Sequence, residues 1–526
     1  MLVPRRDDAV KNELCSVLRT GVDDLINAVD GGASPRKLEE RCWSVLVGLG
    51  RDVMGFCLAF ACRRATEEDL EARGIAPEMV QLRVDEDYWA TSTTTFGPVR
   101  FPWFAYRDRS SGVAVVTRVP ARQRVLPLHR RCRSSELLLE WETRLGSDHP
   151  FRHAQQALSY FTHDAVQLED TTIARHMVKV SGLVDRGWTY RCPDEIAEIL
   201  RTRATRDKET GRPLLYASTD AHALRTYVDE TWDAQWKMAN GVRLWCVDRH
   251  SGATIHIGGE YTWGDCKQVA SVFQWLRDTG RMPAGGRYAD GVNAQLVLVT
   301  DGAQWIKDHV APLFPTAVLI LDAYHVMEHL SDYAAARFGR GTMRASSWYQ
   351  KALNAMFGKS KPKRAKASKP RSGHNKRTNN HEAPPPMPPD DAPHAELRDR
   401  APAAGRLIAL IHTGRVPKRC HDKHDTLIGY IDGNAARIDY ERWRPRGYQI
   451  GSGAMESLHR TASQVRLKIP GARWLPETSQ AIFNLRMLRL CGRWDEFWAQ
   501  PALTSALVGA FRKPTPANQN AHQQAA

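Results

Sequence analysis

Residues 294–322, AQLVLVTDGAQWIKDHVAPLFPTAVLILD, decide the fold class. Ala294 to Thr300 (AQLVLVT) and Ala317 to Leu321 (AVLIL) are short apolar runs of the kind that make buried strands, and Trp305 to Leu313 between them has a helical pattern. Upstream, Leu214 to Thr219 (LLYAST), Val242 to Val247 (VRLWCV) and Ala253 to Gly258 (ATIHIG) are three further strands bounded by Gly, Asp and Ser turn signals. Cys266 to Arg281 then places Val269, Val272, Phe273 and Leu276 at i, i+3, i+4 and i+7, one apolar helical face to lay on a sheet. Three strands, a helix, a strand, a helix and a further strand is the order of an RNase H-like α/β core, expected over residues 210–330.

Two carboxylates fall at strand ends in that order. Asp220 closes LLYASTD and Asp301 closes QLVLVTD, so the fold brings them side by side. Like charges that close repel unless cations offset them, and hard divalent ions take oxygen ligands; paired carboxylates at strand ends therefore suit Mg²⁺. A third acid is expected from a late helix crossing the sheet. Glu456, in GYQIGSGAMESLHRTASQVRLK, follows the Gly451-Ser452-Gly453 turn on a helix whose Met455, Leu458, Ala462 and Val465 face inward. Read singly, each acid has a plainer role: Asp220 and Asp301 as turn or cap residues, Glu456 as a first-turn acid favoured by the helix dipole. It is the ordered combination that points to chemistry.

The chain has 526 residues, which at roughly 100–200 residues per domain predicts three or four domains. Its 74 Lys and Arg against 59 Asp and Glu give a net charge of +15 and a pI near 9.4, favouring a polyanionic partner such as nucleic acid. No unbroken apolar run approaches the ~20 residues that span a bilayer, and Met1 to Val10 lacks a signal-peptide core, so a cytoplasmic protein without membrane insertion is expected. Ten cysteines are spread thinly with no CxxC pair; most are expected reduced and buried, Cys57 and Cys62 among them as helical core positions.

Around the core, residues 1–85 read as a helical amino-terminal region and 86–135 as a small β-rich region with a hairpin in Thr91 to Tyr106. Residues 136–205 form a helix-turn-helix-like region, in which two amphipathic segments flank the polar link Leu168 to Thr171; a plain packing hairpin fits the same pattern. A helical insertion is expected over 331–445. Inside it, 359–403 reads as a disordered linker, because Lys359 to Arg377 carries nine Lys and Arg and no acid and the following stretch is rich in Pro and Ala. That basic run, with Lys361, Lys363 and Arg364, is either a solvated spacer or a phosphate-binding arm. Final core helices occupy 446–500, and 512–526 is a disordered tail.

The runs TDGAQWIKDHVAPLFPTAVLILDAYHVMEHL and GYQIGSGAMESLHRTASQVRLKIPGARWLPETSQAIFNLRMLRLCGRWDEFW resemble bacterial insertion-sequence transposases of the ISKra type, relatives of the eukaryotic Mutator-like elements. The resemblance covers Tyr216 to Trp498 and, more loosely, the region from Val84. It implies an RNase H-like DDE core interrupted by a helical insertion, with Asp220, Asp301 and Glu456 as the first, second and third catalytic acids holding two Mg²⁺ or Mn²⁺ ions. It also implies that Asp322 and His325, in LDAYH, form the Asp-x-x-His element of that group, where His325 could orient a DNA phosphate or a carboxylate; the plainer alternative is a capping Asp and a buried, hydrogen-bonded His on the following helix. The sequence departs from the pattern at Ala221, where many relatives have Gly after the first acid; Asp229 and Asp233 are the nearby alternatives, though neither follows a strand-like run. FAYRDRSSG lacks the Cys pair that relatives often show there, so no zinc is expected.

The activity implied is metal-dependent cleavage at the ends of an insertion sequence and strand transfer into target DNA, performed by a homo-oligomer on double-stranded DNA. A nuclease of the same fold and an inactive DNA-binding derivative are the alternatives. Phosphate contacts are expected from Arg460, Arg466, Lys468 and Arg473, while Trp474, Trp494 and Trp498 are expected to pack in the core.

Overall fold

The computed structural model describes residues 8–76, 79–83, 89–102, 105–115, 132–227, 234–358 and 402–511. The basic run with Lys361, Lys363 and Arg364, the alternatives Asp229 and Asp233, and the tail from 512 all lie outside the described residues. The chain divides into two compact units, residues 1–188 with 469–526, and residues 189–468. The stretches 136–205 and 446–500 thus each contribute to both units.

The first unit opens with helices Asp8–Asp30 and Pro35–Ala72, followed by strands β1 (Val80–Arg83), β2 (Trp89–Thr94), β3 (Gly97–Pro102), β4 (Ala105–Asp108) and β5 (Ala114–Val115). The β structure begins at Val80, before the boundary expected from sequence, and forms a β2-β3 hairpin plus a separate β1-β4-β5 sheet. Ala59, Cys62 and Leu70 of the second helix share a small core with Ala90, Val99 and Phe101 of the hairpin. Cys62 is buried as expected and its thiol is pushed up to about 12 by burial, whereas Cys57 is exposed.

By length and composition, Pro35–Ala72 is apolar enough to cross a membrane. Counting unbroken apolar runs misses this because Arg51 and Asp52 interrupt a stretch, Trp43 to Cys62, that carries no other charge.

Helices Glu136–Asp148, Phe151–Phe161 and Asp170–Ser181 follow. The connection between the last two spans residues 162–169, longer than the three to four residues usual in a helix-turn-helix. Within this helical group, His176 Nδ1 lies 2.6 Å from the fully buried carboxylate of Glu142. Burial opposes a charged ring, but the bonds to Cys132 and Glu142 outweigh it and lift His176 to about 10. A raised histidine pKa adds stability that is complete below about 6.5 and is lost as pH climbs through 10. The unfolding midpoint followed by circular dichroism is therefore expected to fall between about pH 7 and 10, and His176→Gln should start lower and show no such fall.

The second unit is built on one mixed sheet. Its strands are β6 (Leu214–Tyr227), β7 (Ala234–Val247), β8 (Thr254–Thr262), β9 (Gln295–Thr300) and β10 (Val318–Leu321), in the spatial order β10-β9-β6-β7-β8. β6, β7 and β8 pair antiparallel, whereas β9 runs parallel to both β6 and β10. Alternate residues feed two cores. Leu215, Ala217, Leu296 and Leu298 face helices Pro193–Thr202 and Cys266–Asp278, while Tyr216, Val297, Val299 and Ile320 face helices Ala323–Phe338 and Met343–Phe357. Trp348, Leu407 and Ile431, from the stretch expected as an insertion, belong to this second core, so that stretch is part of the sheet's own cover.

One buried ion pair ties the start of this unit to its end. The Arg446 guanidinium meets the carboxylate of Asp207, with Nε 2.9 Å from Oδ1, and the Tyr448 hydroxyl adds a bond of 3.1 Å. Asp207 is wholly buried and Arg446 nearly so. Burial pushes the Asp207 carboxyl up, but the Arg446 partner and the other donors outweigh it and hold it near 2.

Candidate active site

β6 continues seven residues past Asp220, to Tyr227, so this acid lies within the strand and does not end it. The extension exists because β7 pairs with β6 from Tyr216 onward, up to Tyr227↔Ala234. The parallel pairing with β9 stops earlier, at Ala217↔Leu298. Asp220 and Asp301 each lie three residues past that last pair, on neighbouring strands and at one level. On the other side of β9 the last pair is Leu321↔Thr300, and Asp322 N donates to Thr300 O at 2.8 Å. By register, Asp220 within β6, Asp301 just after β9 and Asp322 just after β10 therefore fall in a row across three parallel strands.

Each acid in the row has its own partners. Asp301 Oδ1 accepts from Ala303 N at 3.0 Å, and Gly302 between them adopts a φ of +89°, where a side chain would be strained and a Cβ would meet Leu321 at 2.6 Å. Tyr430 OH donates to Asp301 O at 3.0 Å, and buried Arg437 bonds Thr300 Oγ1 at 2.6 Å. Asp322 is almost fully buried. Its Oδ1 accepts from Tyr324 N at 2.8 Å, and its Oδ2 accepts from both the backbone N–H and the hydroxyl of Ser452. Asp322 caps the following helix through Tyr324 N, while His325 is half-exposed, 4.0 Å from Asp322 and 3.6 Å from Glu328.

Asp220 is held from the late helix. Helix Gly453–Leu458 runs into a π-helical turn, His459–Gln464, the wider winding often found at functional sites. This turn directs His459 and Ser463 at the sheet. His459 Nε2 lies 3.2 Å from Asp220 Oδ2, Tyr261 OH lies 2.9 Å from His459 Nδ1, and His222 Nε2 lies 2.6 Å from Ser463 Oγ. Gly241, opposite Asp220 on β7, makes room for this approach: a Cβ there would meet Met455 and come within 3.2 Å of His459. Burial pushes Asp220 up, yet the bond and charge of His459 outweigh it and lower its pKa, whereas burial drives His222 down to about 3 and keeps it neutral.

Glu456 stands one turn before His459 on the same helix, but its side chain is 72% exposed and lies 3.5 Å from Arg460. Among the described residues, no three His, Cys, Asp or Glu side chains are grouped to hold a metal ion. The oxygen donors of Asp220 and Asp301 suit a hard cation in kind and in strand level; a third donor does not join them in this conformation.

Of the expected phosphate contacts, Arg460, Lys468 and Arg473 are exposed. Arg466 is fully buried and cannot meet a phosphate, a correction explained by its place on the inward face with Ala462 and Ser463. Trp474 and Trp494 are buried and Trp498 is half-buried. Sequence reading missed His459, although Met455, His459 and Ala462 fall at i, i+4 and i+7 on the face it took as inward. Ser452, Tyr430 and Arg437 had no comparable signal.

No protein-family model matches the chain, and no curated protein matches it. Among solved structures, the chain is similar to the Drosophila P element transposase strand transfer complex, at 13% identity and a TM-score of 0.22, with 71% of this chain and 83% of that one covered.

Proposed function

We propose that this chain is a DDE transposase that cleaves the ends of an insertion sequence and transfers the freed strand into target DNA. The observation that carries the reading is the register of β6 and β9, which puts Asp220 and Asp301 each three residues past the last pair, with His459 of the late helix 3.2 Å from Asp220. The strand order and directions support an RNase H-like core. The two long runs quoted above support the ISKra type within that class.

Asp220 and Asp301 would hold Mg²⁺ or Mn²⁺, with Glu456 joining once its side chain leaves Arg460. Such ions, when bound, activate the attacking oxygen and stabilise the leaving one. The protein's own residues do the positioning. His459 keeps the Asp220 carboxylate ionised and fixed in orientation. Asp322 acts at one remove: by gripping Ser452 it sets where the helix carrying Glu456 begins, which makes it a positioning residue. The exposed Arg460 and Lys468 supply positive charge for a DNA backbone, as does Arg473 on the other unit, and the basic run Lys359 to Arg377 adds nine further charges.

The exposed Glu456 favours, as a second reading, a DNA-binding derivative without catalysis. Incubation with Mg²⁺ and duplexes carrying the element's ends separates the readings on a gel. Cleavage with joining is expected; cleavage without joining identifies a nuclease, and tight binding without cleavage identifies the inactive derivative. Deleting residues 359–377 should weaken binding to all sequences alike and flatten the salt dependence by about 0.9 in log K per log salt for each phosphate that the run neutralises. An unchanged slope would remove the basic run from the DNA interface.

A further inference from the structure

We infer that the groove beside Asp322 seats one unpaired nucleotide of the DNA strand, with Tyr324 as its stacking platform, an inference that rests on reading the acid row as a phosphodiester-processing site. Tyr324 follows two almost fully buried residues, Asp322 and Ala323, yet is itself 63% exposed. Its ring lies against the backbone of Gly451, where a Cβ would come within 2.7 Å of the ring carbons, so one side is backed by protein while most of the side chain faces solvent. A large aromatic ring left in water beside a candidate reaction centre gains most by stacking on another flat, apolar face.

The cavity next to the ring holds about 810 Å³, within the range of roughly 300–1,000 Å³ usual for small-molecule sites. Tyr324, Met327, Phe357 and Tyr448 give it aromatic and apolar walls, and none of its lining residues is acidic. Arg444, also in the lining, makes no ion pair with a carboxylate among the described residues; its guanidinium instead lies 5.3 Å from the Phe357 ring centre. Gln449 is turned by the Trp245 indole, which donates to Oε1 at 3.0 Å, so its NH₂ remains as a donor. Aromatic surface, a cation without a carboxylate partner and an acid-free lining match a nucleobase together with its phosphate. An intact base pair presents only its edges in the grooves, so the occupant is a base out of its stack. The groove also continues into the row: Gly451 precedes Ser452, which binds Asp322, and Ala323 N donates to Ile450 O.

The test uses the full chain and a single-stranded oligonucleotide of about 15 nucleotides carrying 2-aminopurine, whose fluorescence falls on stacking. Quenching on binding is expected for the wild type and for Tyr324→Phe, which keeps the ring. Tyr324→Ala should lose the quenching and bind roughly tenfold more weakly, within the range known for removing one base–aromatic stack. Arg444→Gln should reduce the slope of log K against log salt by about 0.7, one phosphate contact on a single strand. Unchanged quenching and affinity in Tyr324→Ala, or an equal loss in Tyr324→Phe, would overturn the inference. Duplex cleavage in Mg²⁺, measured in parallel, separates it from the reading beneath it. If the wild type cleaves while Tyr324→Ala keeps its quenching and affinity, the groove fails and the phosphodiester reading stands. If nothing cleaves but Tyr324→Ala alone loses stacking, the groove stands and that reading fails.

Discussion

Asp301→Asn is expected to abolish both DNA cleavage and strand joining, by about a thousandfold or more, while leaving DNA binding nearly unchanged. An amide cannot replace an anionic ligand to a hard cation, and losing several kcal/mol of transition-state stabilisation, at 1.36 kcal/mol per tenfold, gives that factor. The shape changes little. Asp301 Oδ1 accepts from Ala303 N, and the Asn carbonyl can still accept there, so the turn through Gly302 persists. A gel assay of cleavage and joining beside a binding titration, both in Mg²⁺, measures the two effects separately. Wild-type cleavage in the variant would remove Asp301 from the chemistry. Glu456→Gln in the same assay decides whether the exposed carboxylate turns inward on DNA: a comparable loss says it does, and unimpaired cleavage says that the third donor lies elsewhere.

The second large effect is on stability. Arg446→Met is expected to destabilise the chain by about 3–5 kcal/mol at neutral pH, because it leaves the wholly buried Asp207 carboxylate without its cation. Denaturant unfolding followed by tryptophan fluorescence reads this directly. The pH dependence checks the cause. A carboxyl lowered from its ordinary value to near 2 adds stability that is present above about pH 4 and is lost as pH falls toward 2. Arg446→Met should lack that loss on the acid side. The double variant with Asp207→Asn should recover part of the stability, since a neutral amide costs less to bury than an unpaired charge. A single variant as stable as the wild type would mean that water reaches the carboxylate.

The strands were legible because their apolar runs are short and sharply bounded: LVLV beside Asp301 and VLIL beside Asp322 read the same in sequence and structure. The length of β6 was not legible. Beyond Asp220 the residues AHALRTY alternate weakly, and they extend as strand only because β7, a separate stretch of chain, pairs with them throughout. Arg466 shows a second limit. A cation in a basic helix reads as surface, and only the packing of the π-helical turn shows that it faces inward. The unit boundaries were hidden for a related reason. Helix Pro476–Leu490 belongs with the first unit, where Arg486 bonds Asp148 at 2.7 Å, a pairing of residues 338 apart that no local pattern announces. The places of Asp301 and Asp322 just after β9 and β10 were legible because those strand ends are predictable, whereas Asp220 was read as ending a strand that in fact runs on. The groups that fix them, His459 and Ser452, became visible only when distant segments met.

The grip of Ser452 on Asp322 links residues 130 positions apart, and this gives the site a timetable during biosynthesis. A ribosome adding about 5–20 residues per second needs roughly 6–26 s to make that intervening stretch. Through that interval a nascent chain holds all three strand acids but lacks the segment that orients them. The sheet can form early, yet its carboxylates stay without their late partners until translation of that segment is done. The carboxylate row thus waits for the segment that faces it until the chain has been made as far as Ser452.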